Sequence, residues 1–104
     1  MDRVAFKMTL LSGCKDEYQQ RHNEIWPELS ALLKLTGISE YSIFLDEESN
    51  SLFGFLKARD PKLLDSLPTK AIMQIWWSYM SDIMLCNPDN SPVSITLNEV
   101  FYLP

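Results

Sequence analysis

Along this chain the hydrophobic period switches from two residues to about 3.6 and back, twice over. Residues 3–11, RVAFKMTLL, put Val4, Phe6, Met8 and Leu10 on one side and Arg3, Ala5, Lys7 and Thr9 on the other. That alternation is a half-buried strand. Ser12 and Gly13 break it. From Lys15 to Lys34 the positions Tyr18, His22, Ile25, Trp26, Leu29, Leu32 and Leu33 step by three and four, which predicts an amphipathic helix. Pro27 either kinks that helix or starts a second segment at a first turn, and Gly37 is a stop. ISEYSIFLD (38–46) and SLFGFLKA (51–58) are joined by the polar EESN, a hairpin signal. DPKLLDSL opens as a helix start. A second helix is expected over Lys70–Met84, with Ile72, Ile75, Trp76, Tyr79, Met80 and Ile83 as its stripe. NPDNSP reads as a loop. VSITLNEVFYL (93–103) reads as the closing strand.

Strand, helix, strand, strand, helix, strand is the α+β, ferredoxin-like βαββαβ arrangement: one antiparallel sheet with helices on one face. At 104 residues the chain is expected to form a single domain over residues 1–104. Large apolar side chains lie on both faces of the third strand, where Phe53 and Phe55 oppose Leu52 and Leu56. A helix layer covers only one face, so the other predicts a partner. The expectation is a homodimer with the sheets packed together, a dimeric α+β barrel.

Charge narrows the partners. The net charge is -5 and no basic block occurs, which argues against nucleic acid and anionic membranes. The first residues carry charges and no apolar run spans a bilayer, so a cytoplasmic location without a targeting signal is expected. Cys14 and Cys86, the two cysteines, are far apart in sequence and read as free thiols. One histidine and scattered carboxylates form no metal-ligand pattern, and three glycines form no phosphate loop. Neither a metal nor a cofactor is expected.

The residues that suggest chemistry are aromatic. Tyr18 and His22 are four apart and share one face of the first helix. Tyr41 alternates in phase with Ile43 and Leu45 toward the same space. Trp76 and Trp77 differ in direction by about 100°, so one faces the core and both meet a cleft only at its edge. Aromatic faces pack on the C–H faces of a pyranose, and phenol and indole groups bond its hydroxyls. A histidine there passes protons near neutral pH. The plain alternative is a structural histidine bonded to backbone and an aromatic core.

Several stretches taken together carry a family likeness. EYQQRHNEIWPEL, IWWSYMSDIM, NPDNSPVSITLNEVFYLP and the opening RVAFKM resemble the L-rhamnose mutarotases over essentially the whole chain. The resemblance implies a cytoplasmic isomerase that exchanges the α and β anomers of L-rhamnose without metal or cofactor. It also implies a ferredoxin-like fold and dimers formed through the sheets. It places the family's proton donor on His22 and its sugar-binding residues on Tyr18, Tyr41, Trp76 and Trp77. Glu24, Ile75 and the pair Leu85-Cys86 depart from the usual pattern, and of these Ile75 and Leu85 bear on the cleft's edge and so on which sugar is accepted. Two other readings are a small cofactor-free monooxygenase or haem-degrading protein, by fold analogy, and a sugar-sensing or assembly module that binds without catalysis.

Overall fold

The computed structural model describes residues 1–104. Its elements are β1 (Asp2–Thr9), α1 (Lys15–Asn23), α2 (Pro27–Leu35), β2 (Ile38–Asp46), β3 (Ser51–Ala58), a 3-10 segment (Pro61–Thr69), α3 (Ala71–Met80) and β4 (Ile95–Leu97). The strands form one antiparallel sheet in the order β2-β3-β1-β4. This is the α+β order expected from the alternating periods.

Pro27 starts a new helix. Residues 24–26 separate α1 from α2, and Pro27 takes the first position of α2, where its missing N–H costs nothing. At the other end of α2, Gly37 turns the chain at φ 93°. Its N–H is given to the Lys34 carbonyl. A Cβ on Gly37 would come within 3.0 Å of Arg59 Cβ, so both conformation and space call for glycine there.

β1 and β3 pair along their full lengths, from Asp2 with Ala58 to Thr9 with Ser51. The β2–β3 ladder contains an irregularity. Ser39 pairs with Lys57 and Ser42 with Phe55, so Glu40 and Tyr41 together face the stretch at Leu56. Such a bulge kinks a strand and re-aims its side chains.

The core lies between sheet and helices. Met8, Leu10, Tyr18, Leu29, Leu52, Trp76, Met80, Ile83 and Met84 form its main cluster. Ile38, Leu56 and Ala58 form a second, with Val4, Phe6 and Leu33 packed against it. The inward set of the first strand is therefore the one its alternation predicts. On the opposite face Phe44 remains 66% exposed and Phe53 stays partly open.

Two expected elements are shorter. α3 ends at Met80, and Ile83 and Met84 reach the core from the turn that follows. Ile75 and Tyr79, assigned to the inner stripe, are largely exposed. The closing strand covers Ile95–Leu97 and not residues 93–103, pairing with β1 only from Ala5 to Lys7. Beyond it the chain is held by side chains. Arg3 forms two hydrogen bonds with Glu99, at 2.9 and 2.7 Å, and its guanidinium lies 3.4 Å from the centre of the Tyr102 ring.

Candidate active site

A cleft of about 970 Å³ opens between the sheet and the helices, within the range of small-molecule sites. All five residues singled out in the sequence line it: Tyr18 and His22 from α1, Tyr41 from β2, Trp76 and Trp77 from α3. Phe6, Ile43 and Met73 add apolar wall, while Lys15, Gln19 and Asn23 add polar groups.

Four-residue spacing on α1 stacks His22 on Tyr18, with ring centres 4.2 Å apart. His22 meets Trp76 edge to face at 5.4 Å. Trp76 is the buried member of the tryptophan pair, at 6% exposure, and Trp77 is only half-buried. The roughly 100° turn between neighbours on a helix accounts for this division.

The His22 ring is oriented by the backbone. Nδ1 lies 3.0 Å from the Tyr18 carbonyl oxygen. A carbonyl can only accept, so Nδ1 carries the hydrogen and donates it. In the neutral ring Nε2 then holds the free lone pair. Burial lowers the His22 pKa below its ordinary 6.5, opposed by the bond to the Tyr18 carbonyl. The neutral ring is therefore the resting form near neutral pH.

Burial also raises the Tyr18 phenol well above its ordinary range, with a smaller contribution from the nearby Tyr41. That contribution places the two phenols in one electrostatic neighbourhood. Tyr41 is 39% exposed as a residue, yet desolvation pushes its phenol up to about 12.

No buried side-chain nitrogen or oxygen lacks a hydrogen-bond partner. The Tyr18 hydroxyl, His22 Nε2 and Trp76 Nε1 make no hydrogen bond to protein, so each must reach solvent, and the cleft is the opening their residues line. A donor, an acceptor and a hydroxyl that does both are left for a bound molecule.

Several contributors escaped the sequence reading. Trp26 packs edge to face on Trp76 at 5.0 Å and tilts on Tyr79 at 5.5 Å, so it backs the cleft wall. Its place in the helical stripe was legible, but its partner was not. Arg21, next to His22, ties α1 to the end of α3. It bonds both Asp82 carboxylate oxygens at 2.8 and 3.2 Å, the Tyr79 carbonyl at 2.7 Å and Glu17 at 2.8 Å. Its guanidinium also covers the Tyr79 ring at 4.5 Å. The spacing of Glu17 and Arg21 signals a helix pair, whereas nothing in sequence joins Arg21 to Asp82. No three His, Cys, Asp or Glu side chains come together as a ligand group. Cys14 and Cys86 are unpaired.

Comparison with known proteins bears on the family and the fold. A family model described as L-rhamnose mutarotase matches residues 3–103. An L-rhamnose mutarotase of Formosa agariphila is 54% identical over 103 residues, covering 99% of each chain. One from Jannaschia sp. is 50% identical over 104 residues, covering all of both. A crystal structure of L-rhamnose mutarotase from Formosa agariphila superposes with a TM-score of 0.93 at 53% identity, again over the whole of both chains. By sequence along its whole length and by fold, the chain belongs to the L-rhamnose mutarotase family.

Proposed function

We propose that this protein is an isomerase that interconverts the α and β anomers of L-rhamnopyranose by acid–base ring opening and closure, with no cofactor. One observation carries the reading within the family: the aromatic cleft leaves the Tyr18 hydroxyl, His22 Nε2 and Trp76 Nε1 without protein partners. A pyranose supplies hydroxyls to those groups and C–H faces to the rings.

His22 is the proton-transferring residue. Its Nε2 takes the proton of the anomeric hydroxyl as the bond between C1 and the ring oxygen breaks. The ring oxygen gains a proton from a hydroxyl donor in the cleft. The aldehyde turns about the C1–C2 bond, and the ring closes on its other face. His22 then returns its proton to the former aldehyde oxygen, so in this reading it is the base in ring opening and the proton donor in ring closure. The ring oxygen's added proton returns to its donor, so no proton is gained or lost over the cycle. Tyr18 and Tyr41 hold sugar oxygens, and Trp76 and Trp77 face the ring.

Saturation transfer between the two anomeric proton signals of L-rhamnose tests this reading. Transfer that rises with added protein supports it. A folded protein that binds the sugar without raising transfer is a sensor and not an isomerase. The pH dependence has a definite sign. In the fold, His22 titrates below 6.5, so in the unfolded chain it binds protons first as pH falls. Stability tied to its neutral form is complete above 6.5 and is lost as pH drops below that value. Anomer exchange is expected to decline at still lower pH, as the folded ring itself charges. A pH series of exchange rates and thermal midpoints checks both limbs.

The 104 residues act as one domain, and two copies pair through the open sheet face in the cytoplasm. Phe44 at 66%, Phe101 at 68% and Leu103 at 80% exposure support that pairing. No helix is long and apolar enough to cross a membrane, and the charge of -5 favours a neutral sugar over nucleic acid as partner. Light scattering is expected to give twice the 12.1 kDa chain mass. A mass of one chain at micromolar concentration would refute the pairing.

A further inference from the structure

We propose that Glu40 and Gly54, neither assigned to the sugar, are positioning residues that set where Tyr41 enters the cleft. The proposal rests on the reading that Tyr41 binds the substrate.

The β2 bulge is the first part of the device. Ile38 and Tyr41 are an odd number of positions apart, so on an unbroken strand they would face opposite sides of the sheet. Ile38 nevertheless packs inward with Leu56 and Ala58, and Tyr41 meets Phe6, which packs against that same cluster. The extra residue between Ser39 and Ser42 makes this possible, since it keeps Ile38 opposite Ala58 and Ile43 opposite Gly54 with both ladders in phase. Glu40 provides that residue in the left-handed region, at φ 49°. A side chain is unfavourable there, least so for Asn and absent for Gly. The Glu40 carboxylate is held by Lys57 Nζ at 2.6 Å, an exposed pair that adds little by itself.

The second part is a notch in the neighbouring strand. Phe6 pairs with Gly54 across the β1–β3 ladder. A Cβ on Gly54 would lie 2.3 Å from Phe6 Cζ and 2.5 Å from Cε2, so the ring rests on bare backbone. Phe6 in turn meets Tyr41 edge to face, with ring centres 6.0 Å apart. Tyr41 is thus fixed from its own backbone by Glu40 and from the side by a ring that only Gly54 admits.

The two parts make different demands. At position 40 the required property is the backbone conformation and not the charge. Glu40→Gly and Glu40→Asn, which keep access to positive φ, are expected to leave KM within about twofold. Glu40→Val, which resists it, is expected to raise KM about tenfold with a smaller change in kcat, the size of one lost hydrogen bond to the sugar. Gly54→Ala is expected to act in the same direction by pushing Phe6 into Tyr41.

The experiment measures anomer exchange against L-rhamnose concentration for these variants, alone and combined with Tyr41→Phe. It also records fluorine NMR of protein labelled with 3-fluorotyrosine. The Tyr41 signal is assigned by its loss in Tyr41→Phe, and its shift between light and heavy water reports exposure. The proposal predicts that Glu40→Val and Gly54→Ala move the Tyr41 signal and add almost nothing to the KM of Tyr41→Phe. It is overturned if Glu40→Gly is as damaging as Glu40→Val, if the effects add fully to Tyr41→Phe, or if the Tyr41 signal stays fixed in Glu40→Val and Gly54→Ala. Should Tyr41→Phe leave KM untouched, the binding role of Tyr41 fails. A moved fluorine signal would then still establish that Glu40 and Gly54 place its ring.

Discussion

Replacing His22 with alanine is expected to slow anomer exchange by about 10²–10⁴, the usual contribution of one positioned acid or base, while L-rhamnose still binds. The reason lies in how the ring is held. The Tyr18 carbonyl takes Nδ1–H at 3.0 Å, which leaves Nε2 as the atom that exchanges protons in the cleft. Alanine removes that atom and also the ring that stacks on Tyr18 at 4.2 Å and touches Trp76 at 5.4 Å. His22→Asn keeps part of the volume and none of the titration, so it separates chemistry from packing. Saturation transfer gives the exchange rate, and a chemical-shift titration gives the binding constant. Exchange lost with binding intact makes His22 catalytic. Equal loss of both would make it a packing residue that shapes the cleft.

The second large effect falls on the tryptophan pair and divides within it. Trp76→Ala is expected to cost about 3–5 kcal/mol of stability, the range for truncating a buried tryptophan. Trp76 is 6% exposed, and it contacts Trp26 at 5.0 Å and Tyr79 at 5.7 Å as well as His22. Trp77→Ala is expected to cost much less stability, because Trp77 is only half-buried, and to weaken sugar binding instead. Urea unfolding and L-rhamnose titration on both variants check the division. If Trp77→Ala binds the sugar normally, Trp77 is an edge residue with no role in recognition.

Most of the fold was legible because apolar strands and amphipathic helices succeed one another between polar turns. β2 and β3 run over the residues their apolar runs mark, since the polar stretch between them bounds both as a hairpin turn. α3 was overextended to Met84 because Ile83 and Met84 keep an apolar rhythm while packing from a turn. β4 was overextended because β-propensity records side chains and not whether a partner strand exists. The five residues singled out by spacing and by the family likeness all line the cleft. The bulge was not legible, since an extra residue leaves both flanking patterns intact and Glu40 is no habitual left-handed residue. Nor was the Arg21–Asp82 tie. A contact between the first helix and the end of the third is set by tertiary packing, and sequence periodicity is silent on it.

The place of β1 in the sheet bears on how the molecule assembles. β1, which precedes the other three strands in the chain, is an interior one. Its partners are β3, around the middle of the chain, and β4, where Ala5 meets Leu97 close to the end. Closing so large a loop is entropically unfavourable until other contacts have shortened it. The β2–β3 hairpin is local and can form early, with β1 adding to its edge and the β1–β4 pairing coming last. During synthesis β1 must therefore wait, apolar on one side, for a partner not yet made. Until then its unpaired edge is open to other chains, and its rate of capture by β3 sets how long that exposure lasts.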